Sequence, residues 1–136
     1  MNKKKNEYKF LGRKIILNKI EANNLDLSEW DESEIEVIID NPEIKKINYE
    51  ENEIIIKVNT CVKLASLLEM KLVHNIFLKF NDIQTYETEI KEDINKFVEP
   101  IGAEISYTVA FISKKMTGQH IILPPSIGFG EKGYKE

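Results

Sequence analysis

The sequence predicts an α+β fold: a four-stranded antiparallel sheet followed by one long helix. Two observations carry this. Apolar and polar residues alternate with period two from Asn52 to Leu64 and again from Met70 to Phe80, the pattern of strands with one covered face. Further on, Ile101, Ile105, Val109, Ile112 and Met116 recur at spacings of four, four, three and four, which lines one side of a helix. The chain has 136 residues, 42% hydrophobic and 31% charged, so one domain with its own core is expected.

Residues 1–13 read as a flexible N-terminal segment. Its lysine run, Lys3-Lys4-Lys5, reads as solvated terminus rather than a phosphate contact. Lys14 to Glu21 is rich in β-branched residues with mixed alternation and forms the first strand. Asn23 to Ser33 is polar and turn-like, and holds the single tryptophan, Trp30. Ile35, Val37 and Ile39 then alternate with Glu36, Ile38 and Asp40 as a second strand, which Asn41-Pro42 stops.

In the third strand Ile54, Ile56, Val58, Thr60, Val62 and Leu64 share a face. Ile55, Lys57, Asn59, Cys61 and Lys63 share the other. The fourth strand sets Met70, Leu72, Ile76, Leu78 and Phe80 against Lys71, Val73, Asn75, Phe77 and Lys79. Short connections pair successive strands antiparallel. Glu87 to Lys96 is charged enough for a short helix. Pro100 opens the long helix, because no intrahelical donor is needed in a first turn. Glu104 near its start and Lys114-Lys115 near its end suit the helix dipole. Gly118 fits a left-handed cap. Leu123-Pro124-Pro125 then forces extended backbone, and 128–136 reads as a flexible tail.

Composition excludes several function classes. Net charge is -4, without the basic face that nucleic-acid binding needs. The single cysteine, Cys61, allows no internal disulfide and fits a reducing, cytoplasmic setting. No apolar run reaches the ~18–20 residues of a membrane span, and no signal peptide follows Met1. His74 and His120 have no metal-ligand spacing around them, and Gly128, Gly130 and Gly133 lack the strand and helix of a phosphate loop. No residue stands out as catalytic, so neither an enzyme nor a cofactor is expected.

The pattern leaves surplus apolar surface. Tyr107 and Phe111 lie off the helix's main stripe, and the sheet's second face carries Ile55, Val73 and Phe77. Either the 81–96 region covers this surface, or it serves oligomerisation or ligand binding.

Three stretches together resemble the SecB family of export chaperones. Lys14-Ile-Ile-Leu-Asn-Lys-Ile-Glu-Ala22 is similar to the family's first strand. Trp30 followed by Glu34-Ile-Glu-Val-Ile-Ile-Asp40 is similar to its tryptophan-led second strand. Glu99-Pro-Ile-Gly-Ala-Glu-Ile105, leading to Met116-Thr-Gly118 and Leu123-Pro-Pro-Ser-Ile-Gly-Phe129, is similar to its proline-opened helix and Leu-Pro-Pro exit. The resemblance places a SecB-like domain at 14–127. It implies a homo-oligomer, dimer or tetramer, that holds unfolded client polypeptides in apolar grooves. It also implies the translocase motor SecA as a partner in protein export. Carried onto this chain, the groove would use Trp30, Phe77, Leu123, Pro124 and Ile127. Subunit contacts would use Ile105, Tyr107, Val109, Phe111 and Ile112.

Two departures stand out. The family's final helix has no counterpart after Pro125, so the domain reads as truncated there. The strand matching the family's acidic SecA patch has one carboxylate flanked by a lysine, Glu69-Met70-Lys71. The missing final helix favours a second reading, an interaction module on the same fold with one dedicated partner, such as an antitoxin-type client.

Overall fold

The computed structural model describes residues 8–24, 35–64 and 68–118. Its centre is a pair of long strands, β4 (Glu53–Leu64) and β5 (Leu68–Phe80), paired antiparallel from Glu53↔Lys79 to Leu64↔Leu68. The alternation read from the sequence is the burial pattern. Ile54, Ile56, Val58 and Val62 on β4, and Met70, Leu72, Ile76, Leu78 and Phe80 on β5, are buried to 1% exposure or less. Their neighbours in sequence face the other side and stay half-buried or exposed.

Among the described residues the sheet has five strands, not four. β1 (Phe10–Asn24) pairs antiparallel with β5 along its length, and β2 (Ile35–Ile39) pairs with the C-terminal half of β4. The additional strand, β3 (Glu43–Asn48), pairs with the N-terminal half of β4. So β2 and β3 lie end to end along one edge of β4, and the sheet is still four strands wide. Asp40-Asn41-Pro42 is the break between them. Pro42 has no N–H for a ladder, while the Asp40 N–H still donates to the Asn59 carbonyl at 3.0 Å.

Bulges explain why β3 and the ends of β1 do not show in the pattern. Ile44 and Ile47, three apart, both reach the covered face opposite Ile56 and Ile54, because the ladder slips by one residue between Ile44 and Lys46. A strand with an extra residue loses period two. The same happens in β1 between Leu17 and Lys19, which puts Ile15, Leu17, Ile20 and Ala22 on one face. β1 also starts at Phe10 rather than Lys14. Residues 8–13, grouped in sequence with a flexible terminus, are part of the fold. The Tyr8 ring packs edge-on against Phe80 and Phe97, and its hydroxyl donates to Asp93. Burial and that carboxylate push the Tyr8 hydroxyl up to about 12. Lys9 and Asn81 exchange backbone and side-chain hydrogen bonds at 2.7 and 3.1 Å.

The helices cover one face of the sheet. Asp82 caps α1 (Ile83–Glu92) by accepting from the Thr85 N–H at 3.1 Å. Ile83 and Ile90 anchor α1, and Phe97 and Val98 anchor the short α2 (Ile94–Val98). The 81–96 region thus joins the layer over the buried face, leaving the opposite face open. α3 (Ile101–Thr117) begins after Pro100 and ends at Gly118, whose φ of 87° only glycine adopts without strain. At the β3–β4 turn Asn52 holds a φ of 51°. Its side chain accepts from the Ile83 N–H at 3.1 Å, which ties the turn to the start of α1.

Candidate functional site

Two surfaces of this frame could hold a partner: the open face of the sheet and the outward side of α3. Register fixes what the open face carries. One row across it reads Lys14, Phe77, Ile55 and Lys46. The neighbouring row reads Ile16, Asn75, Lys57 and Glu43. Phe77 therefore stands beside Ile55 in its own row and diagonal to Ile16 in the next, a small apolar patch edged by Lys14, Lys46 and Lys57. Ile16 is 40% exposed. Opposite charges also face each other in register, at Glu21↔Lys71 and Glu53↔Lys79, which keeps the face wettable.

Towards the other end, the open face hollows. The depression holds about 310 Å³ and is lined by Lys19 and Glu21 on β1, Lys71 and Val73 on β5, Asn59 and Cys61 on β4, and Ile38 and Asp40 at β2. Burial and the Glu69 carboxylate raise the Cys61 thiol above its usual range. That makes it a poor nucleophile at neutral pH. Among the described residues no three His, Cys, Asp or Glu side chains are grouped to hold a metal ion.

The residues expected at subunit contacts divide between two sides of α3. Ile105 and Val109 are fully buried against their own sheet and offer a second subunit no surface. Ile112 packs partly on the same core. Tyr107 and Phe111 point outward, 73% and 52% exposed, with the Lys115 ammonium 5.6 Å from the Phe111 ring centre. Of the expected groove residues, the structure places Phe77. Trp30, Leu123, Pro124 and Ile127 lie outside the described residues.

Sequence reasoning did not single out three further exposed apolar residues. Leu11 is 64% exposed, and Leu17 and Ile20 are each 39% exposed, all on β1. β1 ends the strand order. One signal for the hollow was readable: Ile38 is an apolar residue out of phase with Val37 and Ile39.

No protein-family model matches the sequence, and no curated protein matches it. Among solved structures, the chain superposes on the Rv1957 SecB-like chaperone of Mycobacterium tuberculosis, solved with a ChAD peptide from the Rv1956 HigA1 antitoxin. The TM-score is 0.64, at 7% identity, over 86% of this chain and 88% of that one. The fold is SecB-like. A protein of unknown function from Streptococcus agalactiae also matches, with a TM-score of 0.45 and 7% identity, over 88% of this chain and 99% of that one. At such identity the SecB-like likeness concerns the path of the backbone. Which side chains touch a partner has to be argued from this chain's own surfaces. Among the described residues no helix is long and apolar enough to cross a membrane.

Proposed function

We propose that this protein is a SecB-like chaperone that binds unfolded or client polypeptides on exposed apolar surface. The observation that carries the reading is the fold match to a SecB-like chaperone solved with a bound peptide, together with the uncovered apolar patch around Phe77. Such a protein gains affinity by burying apolar client segments and needs no nucleotide. In a light-scattering assay, the protein at several-fold excess should suppress aggregation of a denatured client. Unchanged scattering would end the chaperone reading and leave the fold untouched.

A second reading has a specific observation behind it. The peptide in the matched structure comes from one antitoxin, which fits a module serving a single dedicated partner. A pull-down that returns one stoichiometric protein favours this reading, and a broad set of unfolded proteins favours the general chaperone. Client polypeptide, rather than SecA, is the partner that the likeness supports.

The reading includes self-association. Tyr107 and Phe111 expose large apolar groups one helical turn apart, and the outer edge of β1 ends the sheet. Large exposed apolar groups of this kind mark contact surfaces. Sedimentation at micromolar concentration should therefore give a dimer or tetramer. A monomer there would contradict the assembly.

A further inference from the structure

The hollow on the open face has a chemistry of its own. It crosses every strand position of the sheet, from Lys19 and Glu21 on β1 to Ile38 and Asp40 at β2. Its interior is apolar at Val73, Cys61 and the 40%-exposed Ile38, with Asn59 as the polar residue among them. Its charges are set apart by position. Lys19 and Lys71 flank Glu21 on the β1–β5 side, and Asp40 stands on the β2 side. Among the described residues the only ion pair within 4 Å is Lys91–Glu87. None of these four charges makes an ion pair within 4 Å, although Glu21 and Lys71 face each other in register. With two lysines against one glutamate, the β1–β5 end of the hollow carries a net positive charge, the β2 end carries the negative charge of Asp40, and the middle is mostly apolar.

Strand spacing of about 4.8 Å puts the two ends roughly 10–14 Å apart. An extended polypeptide covers that span in about three to four residues at ~3.3 Å each. Resting on the client-binding reading above, we propose that this hollow is a recognition site for an extended segment of client polypeptide. The segment has an acidic side chain and a basic side chain three to four residues apart, with an apolar side chain between them. The acidic group pairs with Lys19 and Lys71, the basic group with Asp40, and the apolar group fills the space between Ile38, Cys61 and Val73.

Cys61 is the only cysteine of the chain and lines the hollow, so its alkylation reports occupancy. The full-length protein is treated with N-ethylmaleimide at pH 8.5, and labelling is followed by mass spectrometry. The probe is a synthetic peptide, Ser-Asp-Thr-Leu-Thr-Lys-Ser. At about four times its dissociation constant it should slow labelling about five-fold. The same peptide with Asn and Gln in place of Asp and Lys should leave the rate nearly unchanged. Asp40 is exposed at the break after β2, so Asp40→Lys preserves the fold. That variant should lose protection by the Asp/Lys peptide and gain protection by one carrying Asp at both places. Lys71→Glu should shift preference towards a peptide with Lys at both places.

Equal protection by the neutral peptide, or none by any peptide, overturns the proposal. So does a variant that leaves the charge preference unchanged. Suppressed client aggregation with Cys61 still freely alkylated overturns this site and leaves the chaperone reading standing. Charge-dependent protection without suppression supports the site and removes the chaperone reading.

Discussion

Replacing Ile105 with alanine should lower the unfolding free energy by about 2–5 kcal/mol, whatever the protein concentration. Replacing Phe111 with alanine should act differently. Both are large apolar residues on α3, six positions apart. Ile105 is fully buried within its own chain, and Phe111 is 52% exposed. Truncating Ile105 removes apolar area and leaves a void where α3 meets the sheet, and neighbouring side chains close such voids only in part. Truncating Phe111 costs little inside one chain, within roughly 0.5 kcal/mol. If α3 joins subunits through its outer side, the Phe111 variant instead becomes less stable on dilution, because subunit binding contributes to apparent stability by mass action. Urea denaturation of both variants at two widely separated protein concentrations makes the distinction. A concentration-dependent loss in the Ile105 variant with none in the Phe111 variant would reverse the assignment of the two sides.

That contrast also marks what the sequence could say about α3. The stripe Ile101, Ile105, Val109 told which side is apolar, and this side packs on the sheet. A stripe cannot tell whether it meets its own sheet or another subunit, since both partners are equally apolar. Grouping Ile105 and Val109 with Tyr107 and Phe111 as one contact surface merged two sides of a helix that turns about 100° per residue. The hydrophobic period predicts the buried side. The surplus off that period predicts the exposed apolar side.

The sheet follows the same logic. β4 and β5 were legible because each runs without interruption, so a single parity holds across the strand. β3 was not, because its two isoleucines are three apart and a bulge realigns them. β1 was legible only in part, for the same reason at Leu17/Lys19. Phe77 was legible as an apolar residue on the polar parity of β5. The hollow was not, since it depends on bringing Lys19, Cys61 and Asp40 together from three strands. No sequence interval encodes that juxtaposition. Ile38, out of phase in β2, was its only trace.

Lowering the pH from 7.5 towards 5 should destabilise the protein, and replacing His74 with leucine should remove most of that dependence. His74 is 1% exposed on the covered face of β5, between Leu17 of β1 and Val58 of β4 in register. Its Nδ1 has no hydrogen-bond partner among the described residues, and neither has the Thr60 hydroxyl nearby on the same face. Burial in this apolar setting pushes the imidazole pKa below the usual histidine range. The sign follows from which state binds the proton first. Below about pH 6.5 the unfolded chain protonates His74 while the folded chain does not, so the unfolded state gains free energy as pH falls. The loss can reach about 1.4 kcal/mol per pH unit and continues until the folded pKa is met. Leucine fills a similar volume, carries no proton and leaves no unpaired ring nitrogen in the core, so its stability curve should stay flat from pH 7.5 to 5. Below pH 5 carboxylates titrate in both proteins. Glu87 is one, held low by the Tyr49 hydroxyl and then Lys91, and the two curves should then fall together. Chemical denaturation across this range decides the point. A His74→Leu variant that still loses stability between pH 7 and 5 as the parent does would show that the proton is taken up elsewhere.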